Sequence, residues 1–241
     1  MAPGGDNRPA LVLCPGLLND GRVFAPQIAA LRDRAELVVA DVAAHDSLPA
    51  IADTTLSRAP GRFALLGFSM GGYVAFEILR QAPSRITHLA LLDTSARPDT
   101  AEQTAQRRAI LRLAETGAFK GVTPRLLPRL VHPSRLNDPA VTEPIFAMAA
   151  DVGLDGFRRQ QIAIMNRPDN RPLLASVQVP TLVLCGRDDQ LTPPDLSEEI
   201  ATGIAGARLV LLERCGHVSP LEHPQAVTAA LEAWLFARQA A

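Results

Sequence analysis

Aromatic side chains are scarce in this 241-residue chain: 4% of positions, with one Trp and one Tyr. So few flat rings exclude a base-stacking platform or a large aromatic cage. Lysine is scarcer still, with Lys120 the only one, and arginine carries the rest of the positive charge without evident clustering. Neither sign is in excess, since 24 Lys and Arg face 25 Asp and Glu for a formal net charge of −1. That balance excludes the electrostatic footprint of a nucleic-acid or anionic-membrane binder. No apolar run reaches the ~18 residues of a membrane span. Met1–Pro9 also lacks the charged start and apolar core of a secretory leader. Cysteine is limited to Cys14, Cys185 and Cys215, an odd number, widely spaced, with no CxxC. A disulfide framework and the common metal-ligand spacings are therefore absent. Small buried thiols in a reducing, cytoplasmic compartment are the expectation.

What the chain does have is apolar material for a sizeable core, 47% of residues against 20% charged. Short apolar runs recur at Ala10–Cys14, Leu37–Ala40, Phe63–Gly67, Leu89–Leu92, Thr181–Cys185 and Leu209–Leu212. Each is nearly continuous rather than alternating, which predicts strands buried on both faces of a parallel sheet. Helical patterns fall between most of them, at Val23–Arg34, Ser47–Ser57, Met70–Gln81, Pro194–Ile204 and Gln225–Ala237. Alternation of this kind predicts right-handed βαβ units and a doubly wound α/β fold.

One interval departs from that rhythm. About 85 residues between Asp93 and Val179 hold no convincing strand, too many for a bare loop. Helical windows stand there at Ala101–Glu115, Pro124–Val131, Val141–Ala150 and Leu154–Asn166. The expected division is a core of residues 1–95 and 178–241, with residues 96–177 a helical cap or lid over the carboxyl edge of the sheet.

The strongest chemical signal is Gly67-Phe68-Ser69-Met70-Gly71 between a strand and a helix, the setting of a GxSxG nucleophile elbow. A sharp strand-to-helix reversal projects Ser69 outward, and Gly67 and Gly71 leave room where a Cβ would clash. The helix start also offers unpaired N–H groups to a developing oxyanion. The plainer alternative is a glycine-rich turn with an incidental serine. Because a serine hydroxyl needs a positioned base, the five histidines compete. His217, in Cys215-Gly216-His217 after the last strand, is the candidate. His88 lies inside a strand, His132 beside Pro133, His45 in a polar loop, and His223 at the cap of the last helix. A carboxylate to orient the base could come from Asp188 or Asp189 after the fifth run. Asp93 is the rival, with capping of the turn before Thr94 and Ser95 as its alternative role. The turn Cys14-Pro15-Gly16-Leu17 could aim the Leu17 N–H, with that of Met70, at one oxyanion. Leu18, Phe68, Phe119, Phe146, Met148, Phe157 and Met165 are either site walls or ordinary packing.

With these pieces in chain order, the sequence resembles the α/β-hydrolase superfamily, in its small, cofactor-independent, single-lid branch, from about Pro9 to Ala237. The resemblance implies Ser69 as nucleophile, Asp189 rather than Asp188 or Asp93 as acid, and His217 as base, with Glu222 and Pro224 following. It implies Leu17 and Met70 as oxyanion donors, and Leu18, Phe68, Phe146 and Phe157 as substrate-contacting. There are three departures. Pro15 stands where members often have His, Asp41–Ser47 lacks the usual Gly-x-Gly-x-Ser, and the leading antiparallel hairpin is missing. A six-stranded, essentially parallel sheet is the expected result. The implied activity is hydrolysis of a small carboxylic ester, lactone or thioester through an acyl-enzyme, with no metal or cofactor. C–C bond hydrolysis, enol-lactonase, acyltransfer and perhydrolase chemistry share the same residues, and a non-catalytic ligand receptor could share the fold. Oligomeric state has no signature in the sequence.

Overall fold

Six strands, every neighbouring pair parallel, form one sheet in the order β2-β1-β3-β4-β5-β6. A computed structural model of the chain describes residues 8–237. The leader-free reading of the first residues therefore falls largely on 1–7, outside the described residues. In chain order, β1 (Ala10–Cys14) leads through α1 (Ala25–Leu31) to β2 (Glu36–Val39). Then come α2 (Leu48–Arg58), β3 (Phe63–Phe68), α3 (Met70–Gln81) and β4 (Ile86–Leu92). Only helices and turns lie between β4 and β5 (Thr181–Gly186): α4 (Ala101–Leu113), α5 (Pro139–Met165) and α6 (Arg171–Leu174). The chain closes with α7 (Pro194–Gly203), β6 (Arg208–Leu212), α8 (Ser219–Glu222) and α9 (Pro224–Leu235). No leading hairpin precedes β1 among the described residues.

Side chains alternate along a strand, so each strand feeds two cores. Val12, Leu65, Leu89 and Val183 pack with α2, α3 and α7 on one face. Leu13, Leu66, Ala90 and Leu184 pack with α1 and α9 on the other, where Leu231 and Trp234 complete the layer. Two-sided burial explains the continuous apolar runs of β1, β3 and β5, in which every residue is buried. The central helix α3 is buried from Met70 to Leu79, which accounts for its nearly all-round apolar sequence.

The structure departs from these expectations in two places. β2 and β6 are the sheet's edges and are only partly buried, not covered on both sides. A one-sided strand can still be written with a continuous apolar run. Pro124–Val131 is not a helix and holds only a 3-10 turn at Leu127–Arg129. Two prolines without N–H donors leave too few hydrogen bonds for more. The windows Val141–Ala150 and Leu154–Asn166 are the two helical halves of α5, separated by non-helical Gly153 with φ 64° and ψ −175°. Elsewhere the differences are of boundary only, as where β4 starts at Ile86 instead of Leu89.

The chain leaves β1 towards β2 on one side and returns to β3 on the other. Its order therefore reverses between β1 and β3, and the crevice beyond their carboxyl ends is where parallel sheets hold ligands.

Candidate active site

Backbone strain is concentrated along this carboxyl edge. Among the described residues, the non-glycine positions with left-handed φ are Leu18 (58°), Ser69 (53°), Asp93 (45°) and Arg214 (54°), following β1, β3, β4 and β6 in turn. Strained residues persist only where their surroundings over-determine them, and they gather at functional sites. Ser69 is held by the end of β4 and the residues just after it. Its N–H donates to Leu92 O at 2.9 Å, and its carbonyl accepts the Thr94 hydroxyl at 2.7 Å. A Cβ on Gly71 would lie 1.9 Å from Cys14 O, so only glycine lets the start of α3 rest directly on the end of β1. That contact seats the first turn of α3 on Cys14 and Pro15, where the turn leading to Leu17 begins.

Loops after β5 and β6 bring the remaining groups. His217 Nε2 lies 2.8 Å from Ser69 Oγ, and His217 Nδ1 lies 2.8 Å from Asp189 Oδ2. An ionised carboxylate can only accept, so Nδ1 carries the proton and Nε2 presents its lone pair to the serine hydroxyl. Asp189 is fixed in turn by the N–H groups of Leu191 (2.8 Å) and Thr192 (3.0 Å) and by the Thr192 hydroxyl (2.6 Å). The His217 N–H donates to Leu130 O at 2.8 Å, which joins the base to the segment between β4 and β5. Phe68 supports the imidazole from below, with ring centroids 5.4 Å apart.

Burial and charge act in opposite senses on these groups. Burial alone would depress the His217 proton affinity, but the adjacent Asp189 charge and hydrogen bond outweigh it and hold it above the usual imidazole range. Burial would raise Asp189, yet the His217 charge and the Thr192 bonds keep its carboxyl below the usual range. Asp93 goes the other way: full burial, reinforced by the Asp189 charge, lifts it well above an ordinary carboxylate. Burial and charge thus push the two neighbouring buried carboxyls in opposite directions.

Asp93 does not cap the turn before Thr94 and Ser95. Its oxygens accept the N–H of Gly186 at 2.9 Å and the hydroxyl of Ser219, tying the loop of Asp189 to the loop of His217. His223 stands at the N-cap of α9, but its side chain makes no cap hydrogen bond; its ring bonds Arg214 O. His45 bonds Thr54 Oγ1, and His88 packs edge-on against Trp234. His132 sits where its N–H donates to Glu222 at 2.7 Å. Asp188, half exposed, lies 3.9 Å from the His132 ring.

Leu18 and Phe157 meet in a small cluster beside Leu17, with the Phe119 ring 5.1 Å from that of Phe157. Phe146 packs elsewhere, in the cluster of Phe68 and Met148. Thr192 and Glu222 were not assigned roles by sequence reasoning. Glu222 accepts N–H groups from His132, Gly216 and Val218, pinning the loop of the base. Its place after Gly-His was visible, but three backbone partners were not.

Asp93, Cys185 and Asp189 bring three potential metal donors within 4.8 Å of one another, all buried. Their polar atoms already engage each other's loops: the Cys185 thiol, its pKa pushed up by burial, donates to Gly186 O. The cluster is therefore accounted for as packing between the two loops.

Known proteins share this architecture. The model of the alpha/beta hydrolase family matches residues 10–231. A thermophilic esterase from Thermogutta terrifontis superposes with TM-score 0.84 at 31% identity, covering 96% of this chain and 90% of that one. The enol-lactonase from Burkholderia xenovorans LB400 gives 0.83 at 27%, covering 97% and 93%. In sequence, a pimeloyl-[acyl-carrier protein] methyl ester esterase of Neisseria meningitidis is 27% identical over 186 residues, 76% of this chain and 73% of the relative. With a match running from β1 into α9, the chain belongs to the alpha/beta hydrolase family.

Proposed function

We propose that the protein is a serine hydrolase of small carboxylic esters, acting through an acyl-enzyme. The observation that carries this reading is the continuous chain Ser69 Oγ to His217 Nε2, and His217 Nδ1 to Asp189, each step 2.8 Å. Ser69 Oγ attacks the ester carbonyl as its proton passes to His217 Nε2. The Leu17 and Met70 N–H groups stabilise the oxyanion, each such donor contributing roughly 10²–10³ in rate. Collapse of the adduct breaks the bond to the alkoxy oxygen, which leaves with the proton from His217. Water then attacks the acyl-enzyme, with His217 as base, and the acid is released with Ser69 restored.

Names of relatives support the ester class: two are esterases and one acts on an enol-lactone, a cyclic ester. Residues 96–177 are read as a lid, because Leu130 and Gln160 from this stretch bond the His217 and Leu18 backbones. No described helix is long and apolar enough to cross a membrane. The three free, buried thiols suit a reducing cytoplasm.

The test is covalent labelling by a fluorophosphonate together with turnover of an ester, lactone and thioester panel. Ser69→Ala is expected to lose the label and to lower kcat by a factor on the order of 10⁶. Undiminished labelling of that variant would remove Ser69 from the reaction.

A further inference from the structure

Gln160, on α5, is fully buried, and its Oε1 accepts the backbone N–H of Leu18 at 3.0 Å. A backbone N–H can only donate, so this bond fixes which end of the amide is oxygen. The NH2 end is buried as well and has no hydrogen-bond partner. Folded interiors pair the large majority of such atoms, so an orphaned donor calls for an explanation. Two other buried side-chain atoms share this condition among the described residues, Gln27 Oε1 and Ser197 Oγ. They lie on α1 and α7, and the other end of the Gln27 amide bonds Pro220 O.

The position of Gln160 is different. Leu18 adjoins Leu17 in the turn pressed against the start of α3, and it is one of the strained residues of the carboxyl edge. Leu17 packs both with the cluster containing Met70 and with that of Leu18 and Phe157. Phe157 lies three residues before Gln160, on the same face of α5. The unpaired NH2 therefore lies next to the Leu18 backbone, one residue from the proposed donor Leu17 and on the Phe157 face of α5.

The geometry points to Gln160 as a specificity-determining residue, whose NH2 donates to an oxygen on the substrate's acyl chain a few bonds from the scissile carbonyl. The preferred substrates are esters of oxygen-bearing acids, with an ether, keto or hydroxyl oxygen there. A neutral amide supplies a dipole rather than a full charge, so it matches a neutral acceptor. The inference rests on the ester-hydrolase reading for where the substrate lies.

Two p-nitrophenyl esters of equal length, the methoxyacetate and the butyrate, differ by one oxygen for one methylene. Their kcat/KM ratio is measured for wild type, Gln160→Met and Gln160→Glu, so that intrinsic reactivity cancels between enzymes. The ratio is expected to fall at least about 10-fold in Gln160→Met. Gln160→Glu keeps an acceptor for the Leu18 N–H but loses the amide donor, and above the carboxyl's titration range it is expected to fall likewise. A merely structural role would lower both esters together and leave the ratio unmoved; a change under twofold in both variants overturns the inference. The same pair is then bound to Ser69→Ala with and without Gln160→Met, where no turnover is required. A preference for the methoxyacetate that vanishes with Gln160 supports the inference even where wild type hydrolyses neither ester, an outcome that sinks the hydrolase reading alone. Hydrolysis of both esters with an unmoved ratio sinks the inference alone.

Discussion

The side chain of Asp93 accepts the backbone N–H of Gly186 at 2.9 Å, bridging the carboxyl ends of neighbouring strands β4 and β5. Through its second oxygen it also accepts the Ser219 hydroxyl, two residues beyond His217. Asp93→Ala leaves two buried donors unpaired and is expected to cost at least about 2 kcal/mol in urea unfolding. Asp93→Asn tests the upward shift of the carboxyl. A carboxyl whose folded pKa is raised contributes stability that is complete below its unfolded value and is lost as pH rises through the folded one. The stability of wild type relative to Asp93→Asn is therefore expected to decline from about pH 4 upward. A difference independent of pH would show that the fold leaves the Asp93 carboxyl at its ordinary value.

The proposed mechanism needs His217 unprotonated at Nε2. Because Asp189 holds the ring's affinity for a proton above the ordinary imidazole value, the acidic limb of kcat/KM is expected to centre above about pH 6.5. Asp189→Asn removes the charge and the tautomer control together, and is expected to lower kcat by a factor on the order of 10⁴. A limb at or below the free imidazole value would contradict the ion pairing.

Gly186 ends β5 against the loop of the base. A Cβ there would lie 2.0 Å from Gly216 O, whereas one on Gly61 meets nothing within 4 Å. Gly186→Ala is expected to cost at least about 3 kcal/mol, because backbone must move. Gly61→Ala is expected to leave Tm within about 2 °C. Equal tolerance at the two positions would mean that the loops of Asp189 and His217 are not in contact.

The three thiols are buried, and desolvation raises each, Cys14 to about 12. A maleimide or disulfide reagent is expected to leave the native protein unmodified over the time in which urea-unfolded chain reacts at all three. Fast labelling of native protein at Cys185 or Cys215 would contradict the packing of the two loops, and at Cys14 the burial of the end of β1.

The parts of this molecule that were legible in sequence are those with local causes. Ala10–Cys14 is a strand because five consecutive apolar residues are buried on both faces. Ser69 and His217 stand out because a glycine-marked turn follows a strand in each case. The choice of Asp189 over its neighbours came from family likeness, not from local pattern. Other features depend on partners far away in the chain. Asp93 bonds a residue 93 positions on and another 126 positions on. Gln160 bonds Leu18 across 142, and its only local trace is a polar residue on the face of Phe157. The same reason hid the edge strands: burial of β2 and β6 depends on sheet order, which an apolar run does not encode.

The spacing of the site along the chain has a consequence for synthesis. His217 stands 148 residues after Ser69 and 28 after Asp189. A growing chain that has completed β3 and α3 has therefore made the turn of Ser69 without its partner His217, and one that has just passed Asp189 still lacks β6 beside β5. The proposed chemistry waits for residues beyond the last strand. A chain broken off before β6 is an unarmed scaffold with β5 as an open sheet edge, prone to pair with other strands.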